Sequence, residues 1–320
     1  MINNPMMLVS IVLPLVLAAE GAQAQARATM NPPARAVAAE TPGAAWPQVA
    51  GVNASVYLRQ RVVEPHALRD LRALHLPAEQ LVVLLERAER DYPGSPDEAF
   101  EGRIEAKHRP AWRERERIAL AGAAAHLLGS SESPLAAPAL TRVLLDTTHD
   151  VAVRMAVTEV LGATRAPDAV KLLARLAIDP RRSEPERIAA LAGLGAHRTL
   201  DAGRTLAALV DATTTTTTTT VALDETLLGA AYRALGRCAG AWTTDADSSA
   251  AKQVRALARS VLVHALATRA EVALEVALVE SLSLIDDALT RREIERLRDE
   301  SKVDSLAARR ARAFLARPLR

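Results

Sequence analysis

Cysteine, aromatic residues and net charge are all scarce in this sequence. The single cysteine, Cys238, excludes an intramolecular disulfide and a cysteine-rich zinc site. The 320 residues include only 3 Trp, 3 Tyr and 2 Phe, fewer than a β-sandwich or barrel normally uses. The 40 Lys and Arg nearly balance the 38 Asp and Glu, and a net charge of +2 excludes nucleic-acid binding driven by bulk charge. Alanine, leucine, arginine and glutamate are abundant instead, and all four favour helices.

Sequence signatures of catalysis are also missing. The seven histidines include no pair at i and i+4, the usual arrangement of a zinc site on one helix. There is no Gly-x-Ser-x-Gly elbow and no glycine-rich phosphate loop. The sequence therefore predicts no catalytic residue, no metal site and no cofactor. We interpret Asp150 as the N-cap of a helix and Cys238 as a buried, inert thiol.

The first 26 residues have the pattern of an export signal. Residues 6–19 form an apolar run, interrupted by Pro14, that is too short to span a membrane comfortably. Small residues follow at the spacing that signal peptidases read, which predicts cleavage near Ala24 or Ala26. The pattern departs from the usual one because no Lys or Arg precedes the apolar run. We expect a signal peptide over residues 1–26 and an extracytoplasmic mature protein, periplasmic or secreted, without a transmembrane segment.

Composition divides the remaining chain into three parts. Residues 27–54 are rich in proline and alanine and show no periodicity, which predicts a disordered linker. Residues 55–110 contain irregular helical patterns and are predicted to form an N-terminal helical cap. Residues 111–320 are predicted to form a domain of stacked helices, because they contain an internal repeat.

The repeat consists of helical segments that end in leucine followed by a small residue. The small residues are spaced 33, 33, 41 and 47 residues apart: Gly129, Gly162, Gly195, Gly236 and Ser283. An alanine stands six positions before each of them: Ala123, Ala156, Ala189, Ala230 and Ala277. We interpret the alanine and leucine as the buried seam of each helix, and the glycine as a left-handed helix stop. A preceding helix completes each unit, so that the pairs stack into a solenoid.

Two insertions lengthen the later repeats. The eight consecutive threonines Thr213–Thr220 are poor helix formers, which predicts an extended or mobile loop. The polar stretch Thr243–Ser249 is predicted to be a solvated linker. The chain ends in a basic tail, for which we expect fraying, with a weak peripheral contact to anionic lipid headgroups or an acidic partner as the alternative.

Two of the units resemble the HEAT-repeat family, including the short HEAT repeats of bilin-lyase-like proteins. Their pattern combines Leu and Asp with Val-Arg, Ala and Leu-Gly in this order, and the same order is found in Leu145-Asp146, Val153-Arg154, Ala156 and Leu161-Gly162. The next unit matches it with Asp179, Arg187, Ala189 and Leu194-Gly195. The other units depart from the pattern, with Ala121, Leu228 and Glu275 where arginine is expected.

The resemblance covers residues 113–284 and carries expectations for fold and structure. It implies an all-α fold, a right-handed α-α superhelix of HEAT-like repeats whose second helices line a concave face. It also implies a structural ladder between repeats, formed by Asp146, Arg154, Asp179 and Arg187.

The resulting expectation for function is a non-enzymatic scaffold that binds a protein partner, and not a nucleic acid, on the concave face. The position three before each small residue is expected to be exposed and varies in chemistry between repeats. Four of its members are candidate contacts with the partner: His126, Glu159, Arg233 and Glu280. The fifth member, in the third repeat, is Ala192.

Two alternatives remain open at this point. An enzyme, or an enzyme subunit of lyase-like or metal-dependent type, would require His126, His149 and nearby acids to converge in one cleft. An envelope stress or quality-control factor is suggested by Leu76–Gln80. That fragment is similar to the Leu-Thr-x-x-Gln motif of small periplasmic stress and metal-resistance proteins, with Pro77 in place of the threonine.

Overall fold

A computed structural model describes residues 72, 74–91, 109–215, 223–240, 248–268, 272–285, 287–300 and 306–316. The predicted signal peptide, the linker and much of the cap lie outside these ranges, as do residues 216–222 and 241–247. Within the described ranges the chain forms twelve helices and no strand. In chain order they are α1 Ala78–Asp91, α2 Arg109–Gly129, α3 Ala136–Leu145, α4 Val151–Ala163, α5 Ala169–Ile178, α6 Glu184–His197, α7 Leu200–Thr215, α8 Glu225–Ala239, α9 Ser249–Thr268, α10 Val272–Ile285, α11 Ala288–Glu300 and α12 Leu306–Leu315.

These helices form six consecutive pairs, each with a first helix (odd number) and a second helix (even number). Every second helix packs against its own first helix and against the second helices before and after it. The prediction of an all-helical, HEAT-like solenoid is therefore confirmed. None of the described helices has both the length and the apolar character needed to cross a membrane.

The buried seam follows the register of the sequence repeat. The leucine before each small residue is buried in all five units: Leu128, Leu161, Leu194, Leu235 and Leu282. Four of the repeat alanines are buried as well: Ala123, Ala156, Ala189 and Ala277. Ala230 differs, because it is only half-buried. The seam therefore continues through the irregularly spaced later repeats.

The expected role of the repeat glycines as left-handed helix stops is wrong; Gly129 is the last residue of α2, but its φ is not left-handed. Gly162, Gly195 and Gly236 lie inside helices, and none of them has a left-handed φ. The left-handed residues near helix ends are not glycines, and include Arg165 after α4 and Arg198 after α6. The glycines instead remove a side chain at the contact with the next second helix, which allows the two backbones to touch.

Side-chain caps begin the second helices α4, α6 and α8, the last through Asp224, whose Oδ1 accepts from the Leu227 amide at 2.9 Å. Asp150 Oδ1 accepts a hydrogen bond from the Ala152 amide at 2.7 Å, as expected for the N-cap of α4. Before α6, the Ser183 amide and hydroxyl both donate to Glu186 Oε2, at 3.1 Å and 2.7 Å. These caps fix where the three helices begin.

The threonine run and the basic tail both differ from their predictions. Thr213, Thr214 and Thr215 belong to the last turn of α7, so the run does not begin as an extended loop. The Thr213 hydroxyl donates to the Leu209 carbonyl at 2.9 Å and accepts from the Leu223 amide at 3.2 Å. The remaining threonines lie outside the described residues.

The expected fraying of the basic tail is wrong for residues 306–315, which form α12. Ala311 and Phe314 are buried, and the Arg291 guanidinium lies 5.0 Å from the centre of the Phe314 ring. An apolar face thus holds the segment against the stack, and α11 and α12 add a helix pair beyond the residues that the resemblance covers.

Candidate functional site

The second helices pack more closely than the first helices, which determines the inner side of the stack. A Cβ atom built on Gly162 would lie 1.8 Å from the Gly193 carbonyl oxygen, and one on Gly236 would lie 2.5 Å from that of Ser281. Successive first helices are less regular: α7 and α9 are in contact, whereas α3 and α5 hardly touch. The row with the shorter spacing lies on the inside of a curved stack. We call the solvent-facing side of α2, α4, α6, α8 and α10 the inner face.

One register joins the second helices along this row. The small residue of each unit meets the position two before the small residue of the next unit. The contacts are Gly129 with Val160, Gly162 with Gly193, Gly195 with Ala234, and Gly236 with Ser281. Equivalent positions of successive repeats therefore stay aligned even where the sequence spacing grows to 47 residues.

The candidate contact residues form a row across the middle of the inner face. Glu159 and Arg233 are exposed, as expected, whereas His126, Ala192 and Glu280 are only half-buried. The alignment of the repeats places each member beside the equivalent residue of the next second helix. The row thus contains charges of both signs separated by one alanine.

Neighbouring members of the row interact electrostatically. Arg233 Nε lies 3.4 Å from Glu280 Oε2, with both side chains partly exposed to solvent. Burial lowers the pKa of His126, and the negative charge of Glu159 partly opposes this effect. The row therefore has an acidic member on α4 and a basic member on α8.

Next to the charged row lies a band without charge. It comprises the positions seven and ten before each small residue, on the same side of the second helices as the charged row. Its described members at the first position are Gly122, Met155, Ile188, Gly229 and Val276, and those at the second are Ala119, Ala152, Pro185 and Thr226. Because six of these nine residues have apolar side chains that are half-buried or exposed, the band offers contact area without ionic partners.

A separate polar cluster lies at the turn between α3 and α4. His149 is buried, and its Nδ1 lies 2.8 Å from Glu89 Oε2 of α1. The other oxygen of Glu89 accepts from the Asp150 amide at 2.5 Å, and Arg90 Nη2 lies 3.3 Å from His149 Nε2. This arrangement fastens the cap helix α1 to the pair of α3 and α4.

The two histidines named for an enzymatic site do not share this cluster. His149 is surrounded by Glu89, Arg90 and Asp146, whereas the charged neighbour of His126 is Glu159. Across the described ranges, no group of three or more His, Cys, Asp or Glu could hold a metal ion.

A buried ion pair links α4 and α6, the second helices of two successive pairs. Arg154 Nε donates to Glu186 Oε1 at 3.0 Å, and each side chain is only 10% exposed. Arg154 also donates to the Thr147 and His149 carbonyl oxygens, which connects this pair to the turn of the polar cluster. Burial opposes ionisation of Glu186, but hydrogen bonds from Ser183 and Arg154 outweigh it and lower its pKa to about 2.

The ladder differs from the expected one at every member except Arg154. Arg154 crosses between repeats, but its acidic partner is Glu186 rather than an aspartate. Asp146 accepts from Thr148 of its own turn and lies 3.4 Å from Arg90 of α1. Asp179 pairs with Arg181 two residues later, and Arg187 Nε donates to the Ala177 carbonyl of its own repeat. Three of the four ladder residues therefore fasten their own unit or the cap.

Sequence reasoning missed Glu89, Glu186 and His197. A signal was present for Glu186, since Ser183-x-x-Glu186 has the spacing of a capping box. Burial lowers the pKa of His197, whose Nε2 lies 3.1 Å from the Ala166 carbonyl oxygen. Cys238 is buried, as predicted, and burial raises the pKa of its thiol to about 12.

Comparison with known proteins agrees with the repeat geometry. Residues 110–195 match the family model of HEAT repeats. The match runs from α2 to α6 and includes both units whose sequence resembles the family most closely, so the recognition of HEAT repeats is confirmed. A comparison with curated proteins gave no match.

Proposed function

Because this chain contains HEAT repeats, we propose that it is a non-enzymatic interaction scaffold that binds a protein partner along its inner face. HEAT repeats generally serve as scaffolds, and stacked repeats present extended concave surfaces to their partners. The observation that carries the proposal is the aligned row on the second helices. Its geometry is regular from α2 to α10, while its side chains change from repeat to repeat.

Charge reversal on this row tests the proposal. Glu159→Lys and Arg233→Glu change exposed side chains and leave the buried seam untouched. Two reversals on exposed positions of first helices are matched controls: Glu295→Lys on α11 and Arg175→Glu on α5. Partners captured by the full-length protein should be lost with either inner-face variant and retained with either control. Equal capture by all four variants would remove the inner face from the interface.

We further propose that the protein acts outside the cytoplasm. The support is the apolar run over residues 6–19 and the small residues that follow it. N-terminal sequencing of the protein from an extracytoplasmic fraction should begin at Gln25 or Arg27. Recovery of the uncleaved chain from the cytoplasm alone would overturn this part of the proposal.

A further inference from the structure

From Ile188 to Ala196, the middle second helix, α6, has an inner side without charge; the exposed Glu184 lies one turn before this stretch. Ile188, Ala192 and Ala196 are spaced four residues apart, so they lie along one side of the helix. All three are half-buried. The nearest charged residue in sequence, Arg187, instead donates to the Ala177 carbonyl on the first-helix side. Two alanines leave room for a partner backbone to approach this helix closely.

The two helices beside α6 have exposed charges of opposite sign. Glu159 on α4 is exposed, and its neighbour His126 is shifted towards the neutral form by burial, which lowers its pKa. On α8, Arg233 and Arg237 are both exposed and one turn apart. Glu280 offsets only one of these two cations, through a contact of 3.4 Å between partly exposed groups. The surface is thus negative on α4, neutral on α6 and positive on α8.

The spacing of these charges suits an extended chain. Packed helices lie about 8–10 Å apart, so α4 and α8 are roughly 20 Å apart across α6. A polyproline II chain rises about 3.1 Å per residue and returns to the same side every third residue, after about 9 Å. Side chains six positions apart on such a chain would therefore reach α4 and α8, and the one midway between them would lie on α6.

From this complementarity we propose that α4, α6 and α8 bind an extended segment of the partner protein. The segment carries a basic residue opposite Glu159, an acidic residue opposite Arg233 and Arg237, and uncharged residues between them, with the two charges about six positions apart. This inference rests on the proposed function and specifies the chemistry of the partner.

Selection from a displayed library of random nonapeptides against the immobilised full-length protein tests this pattern. Enriched peptides should pair a basic and an acidic residue about six positions apart, separated by uncharged residues. In fluorescence anisotropy, each charge reversal should weaken a selected peptide about fivefold, the scale of one exposed ion pair. Selection against Glu159→Lys should instead yield acidic residues at both ends, and Arg175→Glu should leave the selected pattern unchanged.

The outcomes separate this inference from the scaffold proposal. Enriched peptides without the charge spacing, or with binding unaffected by either reversal, would overturn the extended-segment model. If partner capture still depended on Glu159 and Arg233 in that case, the scaffold proposal would stand. Circular dichroism spectra of the variants, matching that of the parent protein, ensure that a loss of binding reports on the surface rather than on folding.

Discussion

The early repeats, α3–α6, and the later helix pairs, α7–α12, stack in the same way but are joined by different contacts. In both regions a small residue touches the next second helix, as Gly162 touches Gly193 and Gly236 touches Ser281. The early repeats add a buried ion pair between Arg154 and Glu186. At the positions equivalent to Glu186, the later second helices have buried leucines, Leu227 and Leu274.

The buried residues that join neighbouring second helices differ between the two regions, so they are not what makes the repeats stack. A buried leucine stabilises the contact between helices through its apolar surface, without the cost of removing two charges from water. It can therefore replace a buried ion pair without loss of stability. The close backbone contact is the feature common to both regions. The family match ends at residue 195, where the polar pattern ends, whereas the stacking continues to α12.

Of the proposed substitutions, one that adds a side chain at Gly162 should destabilise the protein most, because it breaks the contact between α4 and α6. The Cβ of Gly162→Ala would meet the backbone of Gly193 at 1.8 Å, and backbone cannot rotate away as a side chain can. We expect a loss of about 4 kcal/mol in the free energy of unfolding, above the usual cost of overpacking. Urea denaturation followed by circular dichroism measures it.

Gly229→Ala is the control for this substitution. Its Cβ would have nothing nearer than 3.7 Å, and alanine is the better helix former by up to about 1 kcal/mol. The variant should be as stable as the parent protein or slightly more stable. Equal losses at both positions would show that helix propensity or chain entropy, rather than close contact, explains the glycines.

Removing the buried cation should distinguish the early repeats from the later ones. Arg154→Met leaves the Glu186 carboxylate buried without its cross-repeat partner, for which we expect a loss of about 3 kcal/mol. Arg233→Met breaks an exposed pair of the later region and should cost less than about 1 kcal/mol. Comparable denaturation midpoints for the two variants would contradict an energetic role for burial of the early pair.

The free energy of unfolding should depend on pH through Glu186, a buried carboxylate that is replaced by leucine at the equivalent positions of α8 and α10. Its pKa of about 2 in the folded protein lies below the value of about 4.3 in an unfolded chain. Ionised Glu186 therefore contributes stability above the unfolded pKa, and this contribution is lost as the pH falls towards 2. Glu186→Gln should cost about 2 kcal/mol at pH 7, and the difference should shrink between pH 5 and pH 3.

Urea denaturation at several pH values measures this convergence. The exposed Glu295→Gln of α11 is the control, for which we expect no change in stability across the same range. A gap between the parent protein and Glu186→Gln that stayed constant down to pH 3 would exclude the ionised carboxylate as its source.

Much of the fold was predictable because it depends on local periodicity. Leucines before small residues and caps such as Asp150 act within a few residues, and they identified the buried seam and the start of α4. The last two helices lie within the predicted stacked domain but carry no repeat signal, and fraying was wrongly expected of residues 306–315 because their basic composition obscured the packing of Ala311 and Phe314.

The candidate site was predictable in position but not in its contacts. The spacing of the repeat placed Glu159 and Arg233 on one exposed row. It did not reveal that Arg233 lies beside Glu280, or that His149 is enclosed by a glutamate sixty residues earlier. Such pairs join distant parts of the chain, and no local pattern indicates which charge will meet which.

The amino-acid sequence by itself determined that this chain folds into helices, where most of them begin, and which side of each is apolar, because these properties follow from side chains within a turn or two. Tertiary structure alone decided the role of the glycines and the partner of each buried charge. A glycine that ends a helix and one that admits a neighbouring backbone look the same along the chain, and only the approach of the next helix distinguishes them.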